Sequence, residues 1–312
     1  MKGDDAMKAV RIDRFGGPEV VEVQDVPVPE PRAGEVLVRV EAAGVAPWDA
    51  IIREGQSKVS PPPPLTLGSD LAGKVERVGA GVTELREGDV VYGVTNPQFV
   101  GAQAEYAVCN AGMLALRPGG LTALDAASAP VIAVTAFQML FEHANVKNGD
   151  TVLITGAAGN VGAYAAQMSV SAGMNVVAVG RANDRPMLRD LGVDVVVDSS
   201  ARDFERGLPK VDAILDLVGG ETLERSMGAL KSGRRLVTVV TQYPPPKRAD
   251  VETVFFYAEV TTARLRVLTE MFESGKITAR VGSVLPLEQA RRAHEMLAGA
   301  PHDPGKIMLE IR

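Results

Sequence analysis

The sequence has 312 residues, of which 46% are hydrophobic and 23% charged, and its formal net charge is −6. This composition is typical of a globular protein with two domains, and the acidic balance argues against a surface that binds nucleic acid or an anionic membrane. The sequence contains no apolar run of membrane-spanning length, no signal-peptide core in residues 1–7, and one cysteine, Cys109. We therefore expect a protein without disulfides that works in the cytoplasm.

The first part of the chain is rich in short strand patterns separated by turns. Residues 44–55 indicate a loop with a short helix, and the proline run 60–64 is incompatible with a central strand. This spacing favours an antiparallel, barrel-like domain. The predicted strands are 7–14, 20–26, 35–43, 73–78, 88–93, 104–109 and 114–116.

The pattern changes at Leu121. Residues 124–145 predict a long Ala-rich helix that is interrupted only near Pro130, and strands and helices alternate beyond it. Such alternation indicates a doubly wound parallel sheet. We therefore expect an α/β protein in which a β-rich domain, 1–122 and 262–312, surrounds an inserted parallel-sheet domain, 123–261. The later predicted strands are 151–155, 175–179, 193–197, 211–217, 234–240, 251–257, 284–285 and 306–311, with helices at 260–274 and 287–298.

Residues 151–181 carry the strongest functional signal, because they read as strand, glycine turn, helix and strand. Glycines at 156, 159 and 162 allow a tight turn in which backbone N–H groups reach a pyrophosphate at the positive end of a helix. We predict that Gly156, Ala158 and Gly159 form this turn and that the backbone of Asn160 and Val161 holds the pyrophosphate. The spacing differs from the usual GxGxxG, and the alternative is an ordinary βαβ unit with a glycine-rich turn.

The end of the second strand of this unit indicates which dinucleotide binds. A site for NAD usually carries Asp or Glu about 20 residues after the first glycine. This sequence has Gly180 and Arg181 there, with Arg185 just beyond. Because a guanidinium pairs with phosphate oxygens, we predict NADPH. The alternative is that both arginines belong to a solvated helix start, where Asp184 pairs with one of them.

Several motifs resemble the medium-chain dehydrogenase/reductase superfamily, in its zinc-free quinone oxidoreductase (zeta-crystallin-like) branch. They are AAGVAPWDAIIREG (42–55), LGSDLAGKVERVGAGV (67–82), GAAGNVGAYAAQ (156–167), LDLVGG (215–220) and GKIML (305–309). The resemblance runs nearly end to end. It implies a GroES-like substrate domain, an inserted Rossmann domain that binds NADPH, and commonly a homodimer.

The resemblance also allows a prediction about whether the protein binds zinc. Zinc-dependent relatives place a Cys where Ala46 lies and a His where Ser69 lies. One cysteine and three histidines are too few for the zinc sites of those relatives, and His143, His294 and His302 are typical of surface or capping residues. We therefore expect no metal. Without a Lewis acid, activated acceptors remain, namely quinones or carbonyls conjugated to a C=C bond.

The resemblance places Thr135 near the nicotinamide. We also expect Ser199, after the third strand of the parallel sheet, on the adenosine side, and Val239 and Thr241, at the end of the fifth strand, along the cofactor. Asp49 is retained from the family pattern and Tyr92 is a second catalytic candidate, although Asp49 also fits a helix cap and Tyr92 also fits a structural tie within the barrel. The predicted substrate pocket consists of Ala46, Trp48, Ile51 and Phe255, of which Phe255 equally fits a core or dimer-interface position.

These residues predict a zinc-independent oxidoreductase that transfers hydride from NADPH to a quinone or a similar activated carbonyl. Two alternatives stay open: an NADPH-dependent enone or enal reductase that reduces the C=C bond, and a non-catalytic NADPH-binding sensor.

Overall fold

The computed structural model describes residues 6–240 and 242–312. None of the described helices is both long enough and apolar enough to cross a lipid bilayer. The strands are β1 Ala6–Ile12, β2 Glu22–Pro27, β3 Glu35–Val45, β4 Leu65–Thr66, β5 Asp70–Val78, β6 Val90–Val94, β7 Tyr106–Asn110, β8 Leu114–Leu116, β9 Thr151–Thr155, β10 Asn175–Gly180, β11 Val195–Asp198, β12 Val211–Asp216, β13 Leu230–Thr238, β14 Glu252–Phe255, β15 Val281–Pro286 and β16 Lys306–Glu310. The helices are α1 Pro47–Arg53, α2 Ala123–Ala127, α3 Pro130–Phe137, α4 Asn160–Ser171, α5 Arg185–Asp190, α6 Gly220–Ser226, α7 Thr262–Glu273 and α8 Ala290–Leu297.

The chain divides into two compact units. The first comprises the described residues as far as Val131, together with Val260–Glu273 and Thr278–Arg312. The second comprises Ile132–Glu259 and Ser274–Ile277. The predicted α/β class is confirmed, with a β-rich first unit and a parallel sheet in the second.

The first unit contains a three-stranded sheet, β2-β1-β4, and a seven-stranded sheet in the order β15-β16-β3-β5-β6-β8, with β7 added to β3. β3 lies at its centre, because it pairs with β5, β7 and β16. The alternating pattern predicted a half-buried strand that ends at Ala43. Instead β3 continues to Val45 and its second half is buried, since Gly44 and Val45 pair with β16.

The second unit contains a six-stranded sheet in the order β11-β10-β9-β12-β13-β14, in which every neighbouring pair is parallel. The chain fills one side of the sheet from β9 to β11 and then returns to fill the other side from β12 to β14. The direction of winding therefore reverses between β9 and β12. In doubly wound sheets, ligands bind at this reversal, beside the carboxyl ends of the strands.

The helical stretch before β9 is interrupted just before Pro130, as predicted, but it does not continue as an α-helix to Asn145. α2 and α3 are separate helices, and the chain then forms a π-helical segment, Gln138–Ala144. Pro130 begins α3, a position that suits proline because the first turn of a helix needs no N–H from it. Asn145 ends the segment in the left-handed region with φ +53°. Ala content alone did not reveal the change of helical pitch at Gln138.

Candidate functional site

The turn between β9 and α4 brings the predicted glycine-turn residues together. The Gly159 amide donates to the Gly156 carbonyl at 3.0 Å, and Gly156 adopts φ +65°. Gly159 is exposed and directly precedes α4. The N–H groups of a first helical turn, here those of Asn160 and Val161, have no partner within the helix. Ala158 lies half-buried in the same turn.

The three glycines are packed differently. A Cβ on Gly162 would lie 2.3 Å from the Gly156 carbonyl oxygen and 2.7 Å from Ala157 Cα, so α4 approaches the turn more closely than a side chain allows. A Cβ on Gly159 would meet only the Gly156 oxygen, at 3.2 Å. The turn is therefore closed toward the protein and open outward. This shape fits the diphosphate of a dinucleotide, which needs bare main-chain amides at a helix N-terminus.

The residues predicted to select the dinucleotide lie at the carboxyl ends of β10 and β11. The Ser199 amide donates to the Gly180 carbonyl at 2.7 Å, which joins these two positions. The side chains of Arg181 and Arg185 are exposed. Asp184 is bound to the backbone, since its Oδ2 accepts the Arg181 amide at 2.9 Å. Both side chains therefore lie at the surface, shortly after the end of β10.

Three further predicted residues lie in the described part of the second unit. Thr135 is buried in α3. Val239 was predicted within the fifth strand of the sheet, but β13 ends at Thr238 and Val239 follows it. Thr241 lies outside the described residues. Phe255 is 43% exposed on β14, and its ring meets the ring of Tyr257 edge-on, with 5.1 Å between centroids.

Asp49 is buried in the first unit, near the start of α1. Its Oδ2 accepts the Ala46 amide at 2.8 Å, while Oδ1 makes no hydrogen bond within the described residues. Burial raises the pKa of the Asp49 carboxyl from 3.8 to about 7, against the opposing effects of the Ala46 amide and the Lys306 ammonium. Asp49 therefore caps α1, as the alternative interpretation held, and its Oδ1 is buried without a hydrogen bond of ordinary length in the described residues.

The other predicted pocket positions in this unit differ in exposure. Ala46 is 1% exposed immediately before α1, Trp48 is half-buried, and Ile51 is 42% exposed on the same helix. Ala46 and Trp48 thus lie on the inner side of α1 with Asp49, whereas Ile51 faces outward.

A buried ion pair that sequence reasoning missed lies in the same unit. Lys306 Nζ is 2.9 Å from Asp70 Oδ2, and both side chains are 1% exposed. The ammonium also lies 4.3 Å from the centroid of the Trp48 ring, whose indole N–H donates to Ser69 Oγ at 3.0 Å. An Asp and a Lys within otherwise apolar strand sequences, LGSDLAG and GKIML, were the available signal.

The positions of the zinc ligands in metal-dependent relatives carry no ligand chemistry for zinc. Ala46 has only a methyl group, and the Ser69 hydroxyl accepts the Trp48 indole. Cys109 is fully buried, and burial raises the pKa of its thiol. Within residues 6–240 and 242–312, no group of three or more His, Cys, Asp or Glu side chains is arranged to hold a metal ion. The residues present do not fit a zinc site.

The prediction that all three histidines are surface or capping residues is wrong for His294. This residue is buried on α8, where its Nδ1 lies 3.0 Å from the guanidinium of Arg53, itself 1% exposed. Burial and the neighbouring Arg53 lower the pKa of the imidazole to about 3. His294 therefore stays neutral and accepts a hydrogen bond from Arg53, which joins α8 to the end of α1.

Tyr92 does not have the surroundings of a proton donor to substrate. The residue is buried on β6, and its hydroxyl donates to the Leu265 carbonyl of α7 at 2.7 Å and lies 3.1 Å from Thr269 Oγ1. Burial raises the pKa of the phenol further. The structure thus favours the alternative interpretation, in which Tyr92 has a structural role and links α7 to the sheet by hydrogen bonds. We therefore correct its assignment as a catalytic candidate.

The sequence of this chain is similar to those of known oxidoreductases. Residues 32–124 match the alcohol dehydrogenase GroES-like domain family, and residues 191–309 match the zinc-binding dehydrogenase family. The quinone oxidoreductase of Sus scrofa is 30% identical over 98% of this chain and 98% of its own. The chloroplastic NADPH-dependent alkenal/one oxidoreductase of Arabidopsis thaliana is 29% identical over 97% of this chain and 79% of its own.

A solved structure extends the similarity to the whole fold. The quinone oxidoreductase from Coxiella burnetii superposes with a TM-score of 0.90 at 30% sequence identity, and the match covers 99% of this chain and 100% of that one. The GroES-like and Rossmann-type parts of the predicted fold are therefore confirmed.

Proposed function

Because this chain belongs to the medium-chain dehydrogenase/reductase superfamily of oxidoreductases, we propose that it transfers a hydride from NADPH to a quinone or a similarly activated carbonyl. The observation that carries this proposal is the outward-open glycine turn at the carboxyl edge of the parallel sheet. That turn offers the first-turn amides of α4 to a diphosphate and leaves room beside Gly159.

The residues that would hold the cofactor are those of the second unit. Asn160 and Val161 bind the diphosphate through their amides, and Ser199 lies on the adenosine side beside Gly180. Arg181 and Arg185 bind the 2′-phosphate, because their exposed guanidinium groups are placed at the end of β10. Thr135 and Val239 line the rest of the cofactor-binding site. NADPH, when bound, supplies the hydride from its nicotinamide ring.

The reaction proceeds without zinc. Alanine and an occupied serine hydroxyl stand at the positions of the zinc ligands of relatives, and neither has a donor that zinc prefers. A quinone or conjugated carbonyl accepts hydride without a Lewis acid, since the added electrons delocalise over the conjugated system. Catalysis therefore depends mainly on holding the acceptor at the correct distance and angle.

Reduction of the acceptor also consumes a proton. We infer that Asp49 holds it on Oδ1, the oxygen that lacks a hydrogen bond in the described part of the chain. With a pKa of about 7, this carboxyl is partly protonated at neutral pH, as a general acid must be. Water is the other source, and the activity of Asp49→Asn distinguishes the two.

We also propose that the protein is a homodimer and works in the cytoplasm. β14 forms one edge of the six-stranded sheet and ends at Phe255, which is 43% exposed; Tyr257, two residues beyond, is 75% exposed. An unpaired edge strand with exposed aromatic residues suits pairing with a second copy of the chain. The buried single cysteine is consistent with a reducing compartment.

Reduction of the C=C bond of an enone or enal is the second candidate, supported by the similarity to the Arabidopsis alkenal/one oxidoreductase. Loss of NADPH absorbance with a small quinone and with an enone, measured side by side with and without a chelator, tests both. We expect chelator-resistant turnover that is faster with the quinone. Faster turnover of the enone would favour the second candidate, and NADPH binding without turnover of either would favour a sensor.

A further inference from the structure

A second carboxylate, Asp216, lies buried at the carboxyl end of β12 and is 1% exposed. Its Oδ1 accepts the Thr155 hydroxyl at 2.8 Å, the Gly219 amide at 2.9 Å and the Val218 amide at 3.3 Å. Its Oδ2 accepts the Thr238 hydroxyl at 2.8 Å. Within the described residues no basic side chain forms an ion pair with it, so the hydroxyl and amide dipoles offset its cost of burial.

The position of this carboxylate in the sheet is specific. Thr155 is the last residue of β9, Asp216 of β12 and Thr238 of β13. β9 and β12 are the two strands between which the winding reverses. The bond between Thr155 and Asp216 therefore crosses the reversal, at the edge where a doubly wound sheet binds its ligand.

The same network fixes the loops that leave this edge. The Leu217 amide donates to Thr155 Oγ1 at 3.0 Å, and the Val240 amide donates to Thr238 Oγ1 at 3.1 Å. The backbone of Leu217–Gly219 is therefore held by Thr155 and Asp216 together, since Leu217 binds Thr155 and the next two amides bind Asp216. Because each of these acceptors is buried, the arrangement is costly to change.

The segment Leu217–Gly219 is also a wall of the glycine turn. A Cβ on Gly156 would lie 2.8 Å from Val218 Cγ2 and 3.5 Å from Leu217 Cβ. Val218 is 42% exposed, so it covers one side of Gly156 and presents the rest of its surface at the sheet edge. A shift of the segment would therefore change the space available over the turn.

We propose that Asp216 is a positioning residue for the dinucleotide: through Thr155 and the backbone of Leu217–Gly219 it sets the wall of the glycine turn at the reversal of the sheet. This inference rests on the proposed function, since it assumes that a dinucleotide occupies the turn. It assigns Asp216 no contact with the reacting atoms.

The test compares Asp216→Asn with Asp212→Asn by calorimetric titration of NADPH into each variant and the parent. Asp212 is a matched control, because it is also buried on β12 but lies at the opposite end of the strand, bound to the Thr151 amide at 3.0 Å and Lys231 at 2.9 Å. We expect Asp216→Asn to raise the Kd for NADPH by about tenfold or more and Asp212→Asn by less than about twofold.

Turnover separates positioning from general damage. The KM for NADPH should rise in Asp216→Asn while kcat stays close to that of the parent. Thr155→Val removes one hydroxyl and keeps the shape of the side chain, and it should also raise the Kd for NADPH. This variant replaces Asp216→Asn in the test if Asp216→Asn does not fold. Equal affinities in parent, Asp216→Asn and Thr155→Val would overturn the inference alone, as would equal losses in Asp216→Asn and Asp212→Asn. A parent that binds neither NADPH nor NADH would overturn the proposed function and this inference with it.

Discussion

Lys306 and Asp70 form an ion pair in which Nζ and Oδ2 are 2.9 Å apart and both side chains are 1% exposed. Lys306→Met leaves the Asp70 carboxylate buried without its cation, and removal of one partner of such a pair lowers the free energy of unfolding by about 3–5 kcal/mol. Urea unfolding of the two proteins measures the difference. Lys8→Met is the control, because the Lys8–Glu288 pair is largely exposed, and its effect should be far smaller. Equal losses in the two variants would contradict the importance of burial.

Asp49 should make the stability of the protein depend on pH with a defined sign. Burial raises the folded-state pKa of its carboxyl from 3.8 to about 7, with Asp70 adding to the rise and Lys306 opposing it. The folded protein therefore binds this proton more tightly than the unfolded chain, and the stabilisation is complete below the unfolded pKa and is lost as the pH rises through the folded one. Asp49→Asn, which mimics the protonated form, should gain stability relative to the parent between about pH 4 and about pH 7.

Urea midpoints across this range measure the difference between variant and parent. Asp212→Asn is a control, because the Thr151 amide and Lys231 lower the pKa of the Asp212 carboxyl despite its burial. The contribution of Asp212 is therefore already complete above about pH 4, and the stability difference between this variant and the parent should stay constant over the measured range. A stability difference between Asp49→Asn and the parent that does not change with pH would show that Asp49 is ionised throughout.

Tyr92→Phe should affect stability rather than catalysis. The variant loses the hydrogen bond from the Tyr92 hydroxyl to the Leu265 carbonyl. Because this carbonyl lies within α7 and remains part of the helix, we expect a cost of about 0.5–1.5 kcal/mol. Denaturant unfolding should show this loss, while kcat and its pH profile with a quinone should match those of the parent. A large fall in kcat with unchanged stability would restore Tyr92 as a proton donor.

Arg181 should account for a preference for NADPH. Its guanidinium is exposed at the end of β10 while its backbone amide is bound by Asp184. Arg181→Ala should weaken NADPH binding by about tenfold and leave NADH binding within about twofold, since only NADPH carries the 2′-phosphate. Arg189→Ala, on the following helix, is a control. If the parent binds NADPH and NADH with equal affinity, the cofactor assignment is wrong.

The glycine turn was predictable because its signal is local. The strand, the three glycines and the small-residue helix lie within residues 151–171, and each reflects the backbone conformation at its own position. The bounds of β9 and the order of β9, α4 and β10 follow from such short-range patterns. The π-helical segment at Gln138–Ala144 does not, since its composition is that of an ordinary α-helix.

The buried polar networks were not predictable for a different reason. Asp70 and Lys306 are separated by 236 positions, and Thr155 and Asp216 by 61. A single sequence does not indicate which residues come into contact across such separations. Asp216 was therefore visible only as part of the motif LDLVGG, and Lys306 only as part of the motif GKIML. Likewise, the burial of His294 depends on Arg53, which is contributed by another helix.

The decisive measurement is a calorimetric titration of NADPH into the parent and into Gly159→Val. Valine at position 159 needs only a small local adjustment, because its Cβ makes one tight contact, with the Gly156 oxygen at 3.2 Å, while its side chain should cover the amides of the turn. Gly162→Val provides the comparison, since its Cβ would lie 2.3 Å from that oxygen and should destabilise the unit itself. We predict that Gly159→Val keeps the melting temperature of the parent within a few degrees and binds NADPH at least about a hundredfold more weakly. A folded Gly159→Val that binds NADPH as tightly as the parent would show that the dinucleotide does not lie on this turn.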